Sequence, residues 1–123
     1  MATDLRLKLE DRPGTAAELA EALGGAGINM LGFCGVVQQG EGIVHLCVDD
    51  REGATRALEA AGISVEEGQL VVVVPIEDRP GTLGELARRI SAAGINLTVA
   101  YLGTNNRMIL GAMDIDGLRA AVG

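Results

Sequence analysis

The stretch EDRPGTAAELAEALGGAGIN, residues 10–29, occurs a second time as EDRPGTLGELARRISAAGIN, residues 77–96. Thirteen of the twenty aligned positions are identical, and the alignment needs no gap. Self-similarity of this kind indicates an internal duplication in which each copy forms one supersecondary unit. We therefore expect two repeats, with the first covering residues 1–67 and the second covering residues 68–123.

Each copy of the stretch follows a predicted strand. Leu5, Leu7 and Leu9 alternate with basic residues, which is typical of a half-buried strand. The matching run, residues 70–76, is apolar throughout, so we expect it to be covered on both faces. In both repeats the sequence DRPG then ends the strand, because a Pro-Gly pair favours a turn.

A helix is predicted after each DRPG turn. The apolar residues that recur at helical spacing are Ala16, Leu19, Ala20 and Leu23 in the first repeat and Leu83, Leu86, Ala87 and Ile90 in the second. Capping-box spacing is present at Thr15 and Glu18, and again at Thr82 and Glu85. Pro13 and Pro80 suit a first helical turn, and Gly27 and Gly94 suit a left-handed cap at the helix end.

The remainder of each repeat reads as a hairpin and a second helix. Second strands are predicted to start at Ile28 and Ile95, and turns near Gly40 and Asn105 lead into third strands over 43–48 and 108–113. In the first repeat a second helix follows, and its apolar face is formed by Ala54, Ala57, Leu58 and Ala61. A short fourth strand is predicted over 63–65. The order β-α-β-β-α-β predicts an α+β, ferredoxin-like unit with both helices on one face of an antiparallel sheet and the other face open. The second repeat has no residues for a last strand, so its sheet edge is either exposed or covered by another chain.

Strand, DRPG, helix and AGIN in this order, present twice, resemble the ACT domain family. The resemblance covers nearly the whole chain and identifies a free-standing tandem pair without an attached enzyme. It implies a regulatory module that binds an amino acid and acts on a partner enzyme. It also implies side-by-side pairing through sheet edges, with ligands held where the first loop of one unit meets the second strand of another.

By this resemblance the ligand-binding residues are Asp11, Gly14, Thr15, Ile28 and Asn29 in the first repeat and Asp78, Gly81, Thr82, Ile95 and Asn96 in the second. The residue chemistry points the same way. A helix N-terminus offers unpaired N–H groups to a carboxylate, and an aspartate offers charge to an ammonium group. In the alternative interpretation the two aspartates only cap the helices, and the two turn glycines only serve the turn.

Composition excludes several other functions. The net charge is −7 and Phe33 and Tyr101 are the only aromatic residues, so the chain lacks the basic face and stacking platforms of a nucleic-acid binder. The longest apolar run, residues 70–76, is too short to span a membrane, and the N-terminal residues do not resemble a signal peptide. We expect a cytoplasmic protein.

Catalysis finds little support in the sequence. His45 and Cys47 lie two apart on one predicted strand and should face away from the helices, with parallel rather than converging side chains. A metal site that adds Cys34 to this pair lacks a fourth ligand and a CxxC motif, so it is a weaker interpretation. No enzymatic activity, no metal and no cofactor are expected.

Two functions remain for the chain. The first is a regulatory module that senses a free amino acid and acts on an unseen partner enzyme. The second is a ligand-free module whose sheet edges only mediate assembly. In both interpretations we expect the two repeats to pair within the chain and the chain to form at least a homodimer, because either Leu31, Phe33 and Val37 or their alternates would lie on an open sheet face.

Overall fold

The computed structural model describes all residues from 1 to 123 and contains seven strands and four helices. In chain order these are β1 (Thr3–Glu10), α1 (Thr15–Gly25), β2 (Met30–Gln38), β3 (Glu41–Val48), α2 (Arg51–Ala60), β4 (Val65–Leu70), β5 (Val72–Pro75), α3 (Thr82–Ala92), β6 (Leu97–Gly103), β7 (Arg107–Ala112) and α4 (Ile115–Val122). The α+β class predicted from the sequence is confirmed. None of the four helices has both the length and the apolar character that a membrane crossing requires.

The strands form one antiparallel sheet in the order β4-β1-β3-β2-β6-β7-β5. The two halves of the chain join at β2 and β6 through a single register pair, Gly32 and Gly103. β4 and β5 lie at opposite ends of this order, yet Val71 alone separates them in the chain. The end of β4 therefore lies next to the start of β5, and the Val71 N–H between them donates to the carbonyl of Ala2 at 3.1 Å.

Both hairpins form where the sequence predicts them. Gln39 and Gly40 have φ of 52° and 79° between β2 and β3, and Asn105 and Asn106 have φ of 58° and 52° between β6 and β7. Two consecutive residues with positive φ are typical of the tight turn whose twist matches that of the flanking strands. Gly and Asn are the residues that adopt this conformation at least cost.

The C-terminal ends of α1 and α3 also follow the prediction in part. Gly27 and Gly94 both have φ of 72°, as expected for a left-handed cap. The second strands, however, begin at Met30 and Leu97, two residues later than predicted. Ile28 and Ile95 instead donate their N–H groups to the carbonyls of Leu23 and Ile90, which closes the helix ends.

The predicted capping boxes are wrong. Gly14 and Gly81 occupy the N-cap positions of α1 and α3, and no side chain caps either helix. Thr15 is the first residue of its helix rather than the residue before it, so its hydroxyl cannot reach the third N–H of the helix. Pro13, and likewise Pro80, lies in the turn before the helix and not in the first helical turn.

The buried stripes of α1 and α3 are narrower than predicted. Leu19 and Leu23 of α1, and Leu86 and Ile90 of α3, are buried. The remaining members of the predicted faces, Ala16, Ala20, Leu83 and Ala87, are exposed. Each helix thus packs through only two large side chains, and part of its apolar surface faces solvent.

The core consists of three clusters. The first packs β1 and β3 against α1 and α2, and the second packs β5 and β7 against α3 and α4. The third contains residues from both halves: Ala2, Leu31, Cys47, Val71, Tyr101 and Ile109. Because Cys47 and Ile109 alternate along their strands with residues that face the helices, this third cluster lies on the sheet surface away from the helices. The sheet faces predicted to be open therefore cover each other in part.

An irregularity at the start of β2 decides which side chains enter that shared layer. The register shifts between Met30 and Gly32, so that Leu31 is an extra residue opposite β3. Leu31 is buried in the third cluster, whereas Phe33 pairs with Leu46 and lies on the helix-facing surface with 42% of its area exposed. The expectation that Leu31 and Phe33 share one face is wrong because it ignored this bulge.

The junction between the halves also differs from the prediction. β4 begins at Val65 and runs to Leu70, beyond the predicted span 63–65, and residues 70–76 do not form one strand. β5 lies at one end of the strand order, so Val72 and Val73 are only partly buried and Pro75 is exposed. The run is apolar because it contacts the second and third clusters, not because both faces of a central strand are covered.

Candidate functional site

The two DRPG turns have the same geometry. Gly14 and Gly81 both have φ of 94°, and nothing lies within 4 Å of the position where a Cβ would be added to either. The positive φ explains the glycine, since other residues adopt this conformation only with strain. The open space beside it leaves the backbone accessible from solvent.

An arginine in each turn connects the strand before the turn with the helix after it. The Nε of Arg12 donates to Glu10 at 2.9 Å, and its terminal nitrogens donate to both carboxylate oxygens of Glu18 at 3.1 Å. Arg79 makes the equivalent bonds to Glu77 and Glu85. The aspartates that precede these arginines take no part in the bonds, because the glutamates occupy the guanidinium groups.

As a result the turn aspartates are free. Asp11 and Asp78 are exposed and take part in no side-chain hydrogen bond or ion pair. The hydroxyls of Thr15 and Thr82 are engaged, since they donate to the carbonyls of Arg12 and Arg79 at 3.3 Å. The aspartates therefore do not cap the helices, and their carboxylates are available to a cation.

The first turns of α1 and α3 are also open to a ligand. Glu18 donates its N–H to the Gly14 carbonyl, but the N–H groups of Ala16 and Ala17 make no hydrogen bond, and those of Leu83 and Gly84 make none either. In α2 and α4, by contrast, Asp50 and Asp114 accept from the third N–H of the helix at 2.9 Å. Free N–H groups at a helix N-terminus attract an anion.

Hollows of different composition lie beside the two turns. The hollow at the first turn has a volume of about 260 Å³ and is lined by Asp11 and Thr15 together with Phe33, Val36 and Val37 of β2. The hollow at the second turn measures about 390 Å³ and is mostly polar, with Thr82 but not Asp78 in its lining. Only the first turn thus combines a free carboxylate with an apolar wall.

The structure does not bring the remaining predicted residues to these turns. Ile28 and Asn29 follow the C-terminal end of α1, and Ile95 and Asn96 follow that of α3. A helix of 11 residues is about 16 Å long, so the two groups of each repeat lie at opposite ends of a helix. Ile28 and Ile95 pack against the first and second core clusters, whereas Asn29 and Asn96 are exposed.

A buried polar network that the sequence did not reveal joins the two halves. Asp4 is 1% exposed and accepts from the Tyr101 hydroxyl at 2.6 Å and from Nδ1 of His45 at 2.9 Å. Burial, and then the bond to Asp4, raise the pKa of Tyr101 above its usual value of 10.0. The only available signals were a charged residue beside the alternating leucines of β1 and the single tyrosine of the chain.

His45 and the cysteines lie in the same layer. The prediction that His45 and Cys47 face away from the helices is correct, and Cys34 lies directly opposite His45 in the sheet. Burial, with Asp4 and Asp49 nearby, raises the pKa of Cys47 from 9.0 to about 12. A thiol of this kind is protonated near neutral pH and is a poor nucleophile. No three histidine, cysteine or acidic side chains converge as metal ligands would.

The overall fold is shared with solved structures. A protein from Bacteroides thetaiotaomicron superposes with a TM-score of 0.82 at 24% identity, over 97% of this chain and 84% of that one. The ligand-free regulatory subunit of aspartate kinase from Thermus thermophilus gives 0.73 at 22% identity, over 98% and 89%. A putative C-terminal regulatory domain of aspartate kinase from Porphyromonas gingivalis gives 0.66 at 13%, over 98% and 88%. No protein-family model matches the sequence, and no curated protein matches it.

Proposed function

We propose that the chain is a tandem pair of ACT-type units, residues 1–67 and 68–123, that binds a free amino acid and regulates a partner enzyme of amino-acid metabolism. Two observations support the tandem assignment. The strand order β4-β1-β3-β2 of the first half is that of a ferredoxin-like unit, and β6-β7-β5 repeats it without the last strand. The resemblance in fold to the regulatory subunit of an aspartate kinase supports a regulatory role.

The contrast between capped and uncapped helices supports a ligand site at the DRPG turns most strongly. α2 and α4 each have an aspartate that accepts from a first-turn N–H, while α1 and α3 leave these groups free beside an unpaired aspartate. An α-amino acid matches this pair of features, since its carboxylate accepts from N–H groups and its ammonium pairs with a carboxylate. The glutamates Glu18 and Glu85 do not oppose the carboxylate strongly, because Arg12 and Arg79 neutralise them.

In this proposal a complete site needs a second unit, and we propose that a second chain supplies it. Asn29 and the turn of α1 lie at opposite ends of one repeat, so an amide can meet the turn only from another unit. The hollow at the first turn is walled by Phe33, Val36 and Val37, which are 42%, 56% and 62% exposed. An apolar patch beside a polar recess is a common setting for an interface, and a homodimer would cover it.

The alternative is a module that assembles without a ligand. The same exposed patch favours it, since hydrophobic surface on a strand can be covered by a partner regardless of any amino acid. The two functions differ in one measurable respect. Only a ligand-binding module gains stability from an amino acid, because a ligand that binds the folded state alone shifts the unfolding equilibrium.

A double variant tests the site directly. Asp11→Asn together with Asp78→Asn removes both turn carboxylates and leaves the backbone N–H groups in place. We expect calorimetric titration of an amino acid that binds the wild type to show about a tenfold to hundredfold weaker affinity, the usual value of a charge-assisted contact. For an analogue of that amino acid without the amine, the variant should bind nearly as tightly as the wild type.

The control removes the same charge elsewhere. Glu21 and Glu59 are exposed and form no ion pair, so Glu21→Gln with Glu59→Gln should leave binding unchanged. If the turn variant binds as tightly as this control, the amino acid does not use Asp11 or Asp78. The assigned site would then be wrong even though the fold is unaffected.

A further inference from the structure

A cleft of about 490 Å³ opens between the two halves of the chain, away from both DRPG turns. Met1, Ala2, Leu31 and Asp49 line it from the first half, and Val71–Val73, Pro75, Arg107 and Arg119 line it from the second. The volume lies within the range that small-molecule sites usually occupy. None of the charged residues of this cleft belongs to the repeated stretch, residues 10–29 and 77–96.

The floor of the cleft is apolar and belongs to the folded core. Ala2, Leu31 and Val71 belong to the buried cluster that the two halves share, and Val71 is fixed to Ala2 by a backbone hydrogen bond. A ligand bound here would therefore contact both halves at once. Its body would rest on aliphatic side chains, which favours an aliphatic chain of a few carbons over a planar ring with many polar edges.

Both arginines of the cleft retain free donors. Arg107 is half-buried, and its Nε and Nη2 donate to the carbonyl and hydroxyl of Thr104 at 2.9 and 2.8 Å, which orients the guanidinium and leaves Nη1 free. The Arg119 side chain makes one hydrogen bond, to the sulfur of Met1 at 3.3 Å, and sulfur is a weak acceptor. Neither arginine forms an ion pair, unlike Arg12 and Arg79.

Asp49 supplies the opposite charge on the other wall. Its carboxylate is exposed and makes no hydrogen bond or ion pair, not even with the two arginines of the same cleft. The side chains of the cleft thus present two arginine cations and one carboxylate, on a chain whose net charge is −7. The complement of this arrangement is a small molecule with two carboxylates and one ammonium group.

We propose that this cleft is a binding site for an acidic α-amino acid, with its carboxylates on Arg107 and Arg119 and its ammonium group on Asp49. The site is separate from the DRPG turns and does not depend on them. Because its ligand contacts both halves, occupancy stabilises their packing. Binding of a dicarboxylic amino acid would thus change how firmly the two repeats are held against each other.

The test uses the full chain and three probes: L-glutamate, glutarate, which lacks the amine, and L-leucine, which lacks the second carboxylate. We expect the wild type to bind L-glutamate most tightly in calorimetric titration. Arg119→Gln should lower the affinity for L-glutamate about tenfold or more. This arginine is exposed and its side chain makes one hydrogen bond, to Met1, so we expect its replacement to leave the fold intact, and a far-ultraviolet circular dichroism melt verifies that.

Two further variants separate this site from the turns. Asp49→Asn should weaken the binding of L-glutamate and leave the affinity for glutarate unchanged or higher. The control variant is Arg56→Gln with Arg88→Gln, which replaces two exposed arginines outside the cleft and should change the affinity for either probe by no more than about twofold. No binding of L-glutamate or glutarate by the wild type would overturn the proposal. So would equal affinity in Arg119→Gln and the control. Loss of L-glutamate binding in Asp11→Asn/Asp78→Asn, with Arg119→Gln unaffected, would assign the ligand to the turns instead.

Discussion

Gly14 and Gly81 have the same φ of 94° at the same place in both repeats, and a side chain at either position would meet no atom within 4 Å. Any cost of a substitution must therefore come from the backbone and not from a clash. We expect Gly14→Ala to lower the free energy of unfolding by about 1–2 kcal/mol, the usual cost of a left-handed conformation in a residue with a Cβ. Urea denaturation measures this directly.

Gly84 provides the matched control for that substitution. It lies inside α3 with equally open space around it but with helical backbone angles. Gly84→Ala should raise the free energy of unfolding by about 0.5–1 kcal/mol, because alanine loses less backbone entropy in a helix than glycine does. A higher free energy of unfolding in both variants would show that the turn does not require glycine.

Tyr101 makes a second prediction at this scale, because it is the only tyrosine of the chain and its pKa is raised by burial. Burial likewise raises the pKa of Cys47, from 9.0 to about 12. In the unfolded chain these groups lose their protons near pH 9 and 10, while in the folded chain they keep them. Stability is therefore fully present below pH 9 and falls as pH rises, by up to about 1.4 kcal/mol per pH unit and group.

Phenolate absorbance reports this titration without interference from other tyrosines. We expect the absorbance to rise only above pH 10 and together with loss of the circular dichroism signal, since ionisation requires the two halves to separate. Tyr101→Phe should lower the stability at neutral pH by about 1–3 kcal/mol, because Asp4 loses a partner while buried, and should flatten the decline above pH 10. A phenolate midpoint near 10 in the folded chain would contradict the buried network.

At the scale of elements, local chemistry predicted the parts that depend on neighbouring residues. The helix ends at Gly27 and Gly94 and the hairpin turns near Gly40 and Asn105 lie where expected, because a left-handed residue leaves a signature in the sequence itself. The capping boxes failed for a specific reason. Glu18 and Glu85 have the spacing of a box, but each binds an arginine of the turn, and spacing alone does not distinguish these partners.

Hydrophobic periodicity did not predict the bulge at Leu31 or the break at Val71 between β4 and β5. A run of apolar residues does not show where one strand ends and another begins when both are partly buried. The same difficulty applies to α1 and α3, where alanines at helical spacing suggested wider faces than the structure buries. These features depend on contacts between distant parts of the chain.

The single register pair between β2 and β6 is the element-scale feature most open to test. A Cβ on Gly103 would meet the carbonyl oxygen of Leu31 and lie 2.8 Å from Cδ1 of Ile109. Because the oxygen belongs to the backbone, it cannot move without disturbing the junction. Gly103→Ala should cost about 1–3 kcal/mol in the free energy of unfolding, as overpacking generally does.

The control for the junction is Gly25→Ala at the end of α1, where nothing lies within 4 Å of the added carbon. We expect that variant to be neutral or slightly more stable. Equal stability of the Gly103 and Gly25 variants in thermal unfolding would mean that β2 and β6 do not approach each other as closely as described.

At the scale of the whole molecule, the sequence predicted the fold class and the positions of the DRPG turns but not how the repeats meet. The layer formed by Asp4, His45, Cys47 and Tyr101 depends on residues almost a hundred positions apart, and no local pattern encodes such a pairing. Asn29 and the DRPG turn lie at opposite ends of a helix, so the predicted meeting of a first loop with a second strand needs two units and stays a prediction. The cleft with Arg107 and Arg119 was missed because its walls come from six separate segments.

The exposed apolar surface leads to a prediction of assembly. Phe33, Val36 and Val37 leave apolar area in solvent beside the first DRPG turn, and we expect a homodimer to cover it. Light scattering at micromolar concentration should give the mass of at least two chains, and Val37→Lys should shift the equilibrium toward the monomer. Met113→Lys changes an equally apolar residue that is 92% exposed and should have no effect. A wild-type monomer would rule out this interface.

Whether a free amino acid binds the folded chain distinguishes the regulatory module from the assembly module. The measurement is a thermal-shift screen of the twenty amino acids against the wild type, followed by a concentration series for each one that raises the unfolding temperature. Our account predicts that at least one amino acid stabilises the protein, by about 2.7 kcal/mol at a hundred times its Kd. If none raises the unfolding temperature at concentrations up to about 10 mM, where even millimolar affinities are visible, the chain does not sense amino acids and the assembly module is the correct interpretation.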